Sequence, residues 1–148
     1  MKVYINIDTS QILASHGLDE GGSVQRFFTE SVNRRITRYM PYRSGALQGP
    51  LKRVTGPAEI TITAPYARYQ YYGKVMIDPT INAAGFKTKD ETWRSRKGAV
   101  KVLTDRDLQY DTTKNAQAGP YWDRRMMAAE GQALIQEVKN YVKSGGRG

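Results

Sequence analysis

Three carboxylates, Asp105, Asp107 and Asp111, fall within seven residues of one another. Side chains of that type can hold a hard cation such as magnesium or exchange protons. Arg106 interrupts them, and the Asp-rich spacing of a calcium loop is missing, so an exposed, solvated role is read for all three. The single histidine, His16, stands between Ser15 and Gly17 and reads as a solvated loop residue. Ser44-Gly45 lacks the strand-to-helix setting of a nucleophile. There is no cysteine, which removes disulfides, thiolate nucleophiles and cysteine-based zinc sites. Neither G-x-x-x-x-G-K-[ST] nor G-x-S-x-G occurs. The sequence therefore points away from an enzyme and implies no metal and no cofactor.

Basic and aromatic residues carry more information. The chain has 148 residues, 23 Lys+Arg and 14 Asp+Glu, a formal charge of +9. Such a charge favours an acidic partner, either nucleic acid or an acidic protein surface. Six cations lie between Ser31 and Ala58 with no acid among them: Arg34, Arg35, Arg38, Arg43, Lys52 and Arg53. Six more lie between residues 87 and 101: Lys87, Lys89, Arg94, Arg96, Lys97 and Lys101, near Phe86 and Trp93. Cations interleaved with aromatics can grip phosphates and stack on bases. They can equally meet an acidic protein or simply face water, and the known nucleic-acid-binding signatures are missing. Tyr66, Tyr69, Tyr71 and Tyr72 form a second cluster, suited to core packing or to a protein interface.

The elements that position these residues follow from periodicity. Residues 2–7 alternate as a strand, and Ile12-Leu13 read as a short helical turn before a loop over 19–23. Val24, Phe27, Phe28, Ser31, Val32, Arg35, Ile36, Tyr39 and Met40 make one stripe of a helix of about 17 residues. Ser23 is its expected cap. Pro41 ends it and biases Met40 toward extended angles. Ala46-Leu47 read as a short strand and Ile60–Thr63 as a strong one. Pro65 and Gly73 bracket a short helix carrying the tyrosines. Residues 74–118 read as an extended insertion, a loop or loose hairpin, with strands at 75–77 and 99–103. Gly119-Pro120 open a last helix running to about Lys143, and 144–148 form a tail.

The expected fold is α+β, with two main helices on one face of a small, mostly antiparallel sheet. Residues 1–143 make one domain. Only 39% of residues are hydrophobic, but fifteen aromatics argue for a real core. No apolar run exceeds four residues, so neither a transmembrane helix nor a signal-peptide core is expected.

Three ordered landmarks resemble the minor capsid, or neck, proteins of long-tailed bacteriophages. One is Pro41-Tyr42-Arg43-Ser44-Gly45-Ala46-Leu47, matching Pro-x-x-[Ser/Thr]-Gly-x-Leu at the end of a helix. Another is Pro65-Tyr66-Ala67-Arg68-Tyr69, then Gly73, after a strand. The last is Gly119-Pro120-Tyr121-Trp122 leading the final helix. Segments 73–79 and 93–98 resemble the minor-capsid branch. Tyr71 stands where many relatives carry Glu.

The resemblance implies a virion protein of the head–tail junction, made in the host cytoplasm and assembled as a homo-oligomeric ring. Its implied partners are copies of itself, the portal or head-closure proteins, tail proteins and double-stranded DNA passing through the lumen, with no membrane. Tyr66, Tyr69, Tyr71, Tyr72, Trp93 and Trp122 become candidate interface residues. The twelve cations become candidate contacts to DNA or an acidic ring. The alternative is a nucleic-acid-binding protein using segments 34–53 and 87–101.

Overall fold

The computed structural model describes residues 1–4, 22–42 and 45–145. The expectations for residues 5–21, Arg43, Ser44 and residues 146–148 lie outside them. The fold is α+β, as its sequence predicts.

Helix α1 spans Ser23–Ile36 and tightens into a 3-10 turn over Thr37–Tyr39. Its cap is Gly22 rather than Ser23. Met40 takes φ −83° and ψ 145°, the extended geometry that a following proline imposes. Val24, Phe28, Val32, Ile36, Tyr39 and Met40 are all buried, which fulfils the stripe. Gln25, Thr29 and Ser31 are buried as well. Thr29 tolerates burial because its hydroxyl donates to the Pro57 carbonyl, 2.5 Å away.

Strands β1 (Lys2–Tyr4), β2 (Lys52–Gly56) and β3 (Glu59–Ile62) form an antiparallel sheet in the order β1-β3-β2. Val3 pairs with Ile60, and Val54 pairs with Ile60 from the other side. The central strand thus places Ile60 and Ile62 in the core. Sequence periodicity misses β2, because Lys52-Arg53-Val54-Thr55-Gly56 holds a single apolar residue and shows no alternation. The expected strand at Ala46-Leu47 is instead a series of turns over 45–51. Gly45 takes φ 81° there, and Leu47 is buried without pairing.

Helix α2 (Ala67–Tyr72) ends at Gly73, whose φ of 69° is the left-handed cap that glycine favours. A side chain at residue 73 would also meet Pro120 at 3.0 Å. The insertion is better ordered than its sequence implies. β4 (Lys74–Ile77) pairs antiparallel with β7 (Val102–Asp107) as a two-stranded ribbon. A small hairpin, β5 (Phe86–Lys87) with β6 (Trp93–Arg94), follows β4 before the chain returns along β7. The returning strand begins at Val102 rather than Ala99, because a turn at 97–98, with Gly98 at φ 71°, delays it.

Helix α3 (Trp122–Lys143) closes the fold antiparallel to α1. Phe27 stacks on Tyr141 near one end, with ring centroids 3.9 Å apart, and Arg38 meets Glu130 toward the other. α1 contacts β2, β3 and α3, so it joins the sheet to the last helix. Trp122, Met126, Leu134 and Val138 complete the core. Trp122 is 0% exposed, with its ring 5.0 Å from that of Tyr71. A Trp122→Ala variant is expected to lose about 3–5 kcal/mol, read as a lower urea midpoint with a nearly unchanged slope.

Candidate assembly interface

The two basic segments separate sharply in three dimensions. In segment 34–53 four of the five described cations, Arg34, Arg35, Arg38 and Lys52, are taken up by partners within the chain. Arg34 meets Glu137 at 2.5 Å, Arg35 meets Glu137 at 2.5 Å and Glu130 at 3.7 Å, and Arg38 meets Glu130 at 2.6 Å. Glu130 and Glu137 lie two helical turns apart on α3, the spacing that presents both acids to α1. Ser31 also donates to Glu137, at 3.2 Å. Lys52 is buried and donates to the Asn33 carbonyl and to Thr37 Oγ1, both at 2.5 Å. Burial pulls its pKa down to about 8, against the opposing pull of Glu30. Lys52 therefore leaves the set of contact residues. Arg35 leaves it too, since its side chain is mostly shielded by the two acids. Arg53 is exposed and donates only to the Pro50 carbonyl, at 3.3 Å. Arg34 and Arg38 remain largely exposed, but their charge is matched.

Segment 87–101 behaves differently. Lys87, Lys89 and Lys97 are exposed and have no partner among the described residues. Arg94 is exposed, with only a loose contact to Asp90 at 3.7 Å. Two members of the group hold the hairpin in place instead. Arg96 grips the buried Asp78 through two bonds, Nε to Oδ2 at 2.9 Å and Nη2 to Oδ1 at 3.2 Å. Thr80 N–H donates to the same carboxylate at 2.9 Å. The Arg96 guanidinium, then the Thr80 N–H, hold the Asp78 carboxyl below its ordinary pKa. Lys101 donates to the Ala84 carbonyl at 2.7 Å. Arg96 and Lys101 thus serve as clasps at the base of the hairpin.

The aromatic candidates also divide. Trp93 is 63% exposed and Phe86 43% exposed. Val100, Val102 and Leu103 are exposed as well, the last two on opposite faces of β7. Large exposed apolar side chains gathered on one arm are a feature of contact sites. Tyr66 and Tyr72 are exposed, and Tyr69 is half-buried. Tyr71 is half-buried and donates to Asp123 at 2.9 Å. Burial, then Asp123, pushes its hydroxyl pKa up to about 12. Its ring stands edge-on to those of Tyr72, Tyr121 and Trp122. Tyr71 and Trp122 therefore belong to the fold's interior packing, which corrects their reading as interface residues.

A second surface feature escapes sequence reading altogether. Tyr42, Leu47, Tyr66, Gln70, Tyr110 and Asp111 line most of an open cleft of ≈ 680 Å³. Pro41, Tyr42, Gly45 and Leu47 of one landmark and Tyr66 of the next meet residues 109–111 there (a meeting that only the returning strand creates). Tyr110 donates to the Gln70 carbonyl at 2.5 Å. Asp111 accepts from Thr113 N–H at 2.9 Å and from Thr113 Oγ1 at 2.6 Å, both through Oδ1.

The three aspartates do not assemble. Asp107 meets Lys74 at 2.5 Å and Asp111 faces the cleft. Among the described residues no group of three or more His, Asp or Glu side chains could hold a metal ion. No described helix is long and apolar enough to cross a membrane. Compared with protein families, curated proteins and solved structures, the chain finds no match.

Two outcomes follow from these ion pairs. Burial pushes the Glu137 carboxyl up, but the Arg35 bond and the charges of Arg34 and Arg35 outweigh it and hold its pKa below the ordinary value. A depressed carboxylate contributes stability above its unfolded pKa, about 4.3, and loses it as pH falls through the folded value. Acid titration of the wild type should show this loss. Glu137→Gln should lower stability at pH 7 by about 1–3 kcal/mol, between an exposed and a buried pair, and should flatten the acid limb. Asp78→Asn should speed tryptic cleavage within 87–97 several-fold while leaving the urea midpoint of the body unchanged.

Proposed function

We propose that this chain is a structural subunit of a bacteriophage neck, forming a ring that helps join the head, at the portal or head-closure proteins, to the tail. The observation that carries the reading is the arm built from β4, β7 and the β5–β6 hairpin. An isolated two-stranded ribbon is marginal in water, and this one keeps Trp93, Phe86, Val100, Val102 and Leu103 exposed. A surface of that composition suits a neighbouring protein that completes its burial. The three ordered landmarks of the sequence support the same reading. Rings arise from head-to-tail contacts that close by rotation, and an arm on one side of a subunit is suited to them.

In this reading the chain acts without catalysis, within the virion at the head–tail junction. Its exposed cations, Lys87, Lys89, Arg94 and Lys97, face either an acidic ring or the DNA that crosses the lumen. The second reading, a free nucleic-acid-binding protein, is favoured by those same exposed cations, because Arg34, Arg35 and Arg38 are already matched by Glu130 and Glu137.

Purified particles of the phage that encodes the chain test the proposal. Cryo-electron microscopy should locate the chain as a ring between head and tail. Its absence from purified particles overturns the reading. Salt-sensitive retention of duplex DNA by the isolated chain, with no incorporation into particles, would establish the second reading instead.

A further inference from the structure

We infer that the tip of the arm on one copy seats in the tyrosine-lined cleft of the next copy, with Trp93 as the anchor and Lys87 facing Asp111. The inference rests on the reading of the chain as a self-assembling subunit and names the contact that would build it.

The arm supplies one half. Lys87 and Trp93 are direct cross-strand partners, so their side chains emerge on the same face of the β5–β6 hairpin. Both are exposed, and Lys87 has no partner among the described residues. An aromatic anchor beside a cation is the composition of an interface hot spot.

The cleft supplies the other half. Tyr42, Tyr66 and Tyr110 give it aromatic walls and Leu47 an apolar patch. Asp111 Oδ1 is occupied by Thr113, while Oδ2 accepts no bond among the described residues. One acceptor is therefore open for an incoming ammonium. Lys114 makes no ion pair there: its ammonium lies over the Tyr42 ring, 5.1 Å from the centroid, although its charge still acts on Asp111 from that position. The opening of ≈ 680 Å³ is within the range of sites that enclose a bulky group.

The tip residues Lys87 and Trp93 do not line the cleft of their own copy. Lys74 pairs with Asp107 at the end of the ribbon nearest the body, where Leu108 N–H bonds the Gly73 carbonyl. Residues 109–111 of the cleft follow at once. Ile77 pairs with Val102 at the far end, and the hairpin lies beyond it. Strands rise about 3.3 Å per residue, so the ribbon sets the tip about 10 Å or more outward. The Arg96–Asp78 clasp and the Asp78–Ala83 bridge hold the base of the hairpin to that far end. Two different surfaces at opposite ends of one ribbon make a heterologous contact, which closes into a ring or propagates.

Light scattering of the purified chain over a concentration series, with site-specific crosslinking, tests the inference. The wild type should self-associate. Trp93→Ala and Tyr66→Ala should each weaken association by at least about tenfold. Circular dichroism should not change, since both positions are exposed. Mixed together, these two variants retain one good tip and one good cleft and should form dimers that do not grow. Asp111→Lys should block association, and a Lys87→Asp copy should restore it in the mixture. A benzophenone side chain at position 93 should crosslink to residues 41–47 or 66–70 of another copy. Crosslinks elsewhere, self-association unchanged by Trp93→Ala, or a wild type that stays monomeric overturns the inference. A Trp93→Ala chain that loses duplex DNA retention but still self-associates overturns it in favour of nucleic acid. The two readings fail separately. Incorporation of Trp93→Ala chains into phage particles defeats the tip-in-cleft contact alone. Self-association through the tip with no chain in particles defeats the neck reading alone.

Discussion

The tie between residues 115–123 and the ends of the two shorter elements before them governs the architecture. The last carbonyls of α1 and its 3-10 turn depend on partners beyond the helix, Thr37 having only a long bond from Met40 N–H at 3.4 Å. Two distant side-chain amides satisfy them. Gln48 Nε2 donates to the carbonyls of Thr37 and Met40 at 3.1 and 2.9 Å. Asn115 Nδ2 donates to the same pair at 3.2 and 2.7 Å. Gly119 N–H then bonds the Tyr39 carbonyl at 3.2 Å, and Tyr121 N–H bonds the Tyr71 carbonyl at 2.9 Å. Tyr121 turns left-handed, φ 47°, and Trp122 enters the core at the next residue. The arm departs at Gly73 and returns through this tie, so its base is fixed to the body even though its tip is not.

Charge is divided by the same geometry. A formal +9 suggests a cationic molecule throughout, yet the α1 side of that charge is set against Glu130 and Glu137. The pairing joins two helices whose apolar stripes already meet. It places acid sensitivity at the helix interface rather than at a contact surface. Uncompensated charge is left on the hairpin, beside the exposed rings of Trp93 and Phe86. Body and arm therefore differ: the body closes its own core and pairs Arg34, Arg35 and Arg38 with Glu130 and Glu137, and the arm keeps rings and cations exposed.

Local rules made several elements legible. The stripe from Val24 to Met40 gave α1, and Pro41 its end. Gly73 marked the close of α2. Ile60–Thr63 differed from β3 by one residue at either end. Failures came where distant chain decided. Lys52 read as a contact cation, because nothing local reveals that Thr37 and Asn33 wait to accept its ammonium. Leu47 looked like strand and is instead a buried residue in a turn. Arg35 read both as part of the helical stripe and as a contact cation, and Glu137 on α3 takes up its charge. The seven-residue spacing of Glu130 and Glu137 was the one signal that could have predicted the match. No comparable signal announced the cleft, since its walls come from three stretches between Pro41 and Asp111.

By itself the sequence determined the α+β class, the boundaries of the long helices and the concentration of rings and cations in two stretches. These properties depend on neighbours a few residues apart, and periodicity, proline and glycine encode them directly. Only the tertiary structure decided which stretch stays available. Pairing β4 with β7 left one stretch exposed, and packing α1 against α3 matched Arg34, Arg35 and Arg38 of the other with acids. It likewise turned Trp122 and Tyr71 from surface candidates into packed rings. Burial and ion pairing depend on which segments meet across the fold, and residue spacing along one chain does not specify that meeting.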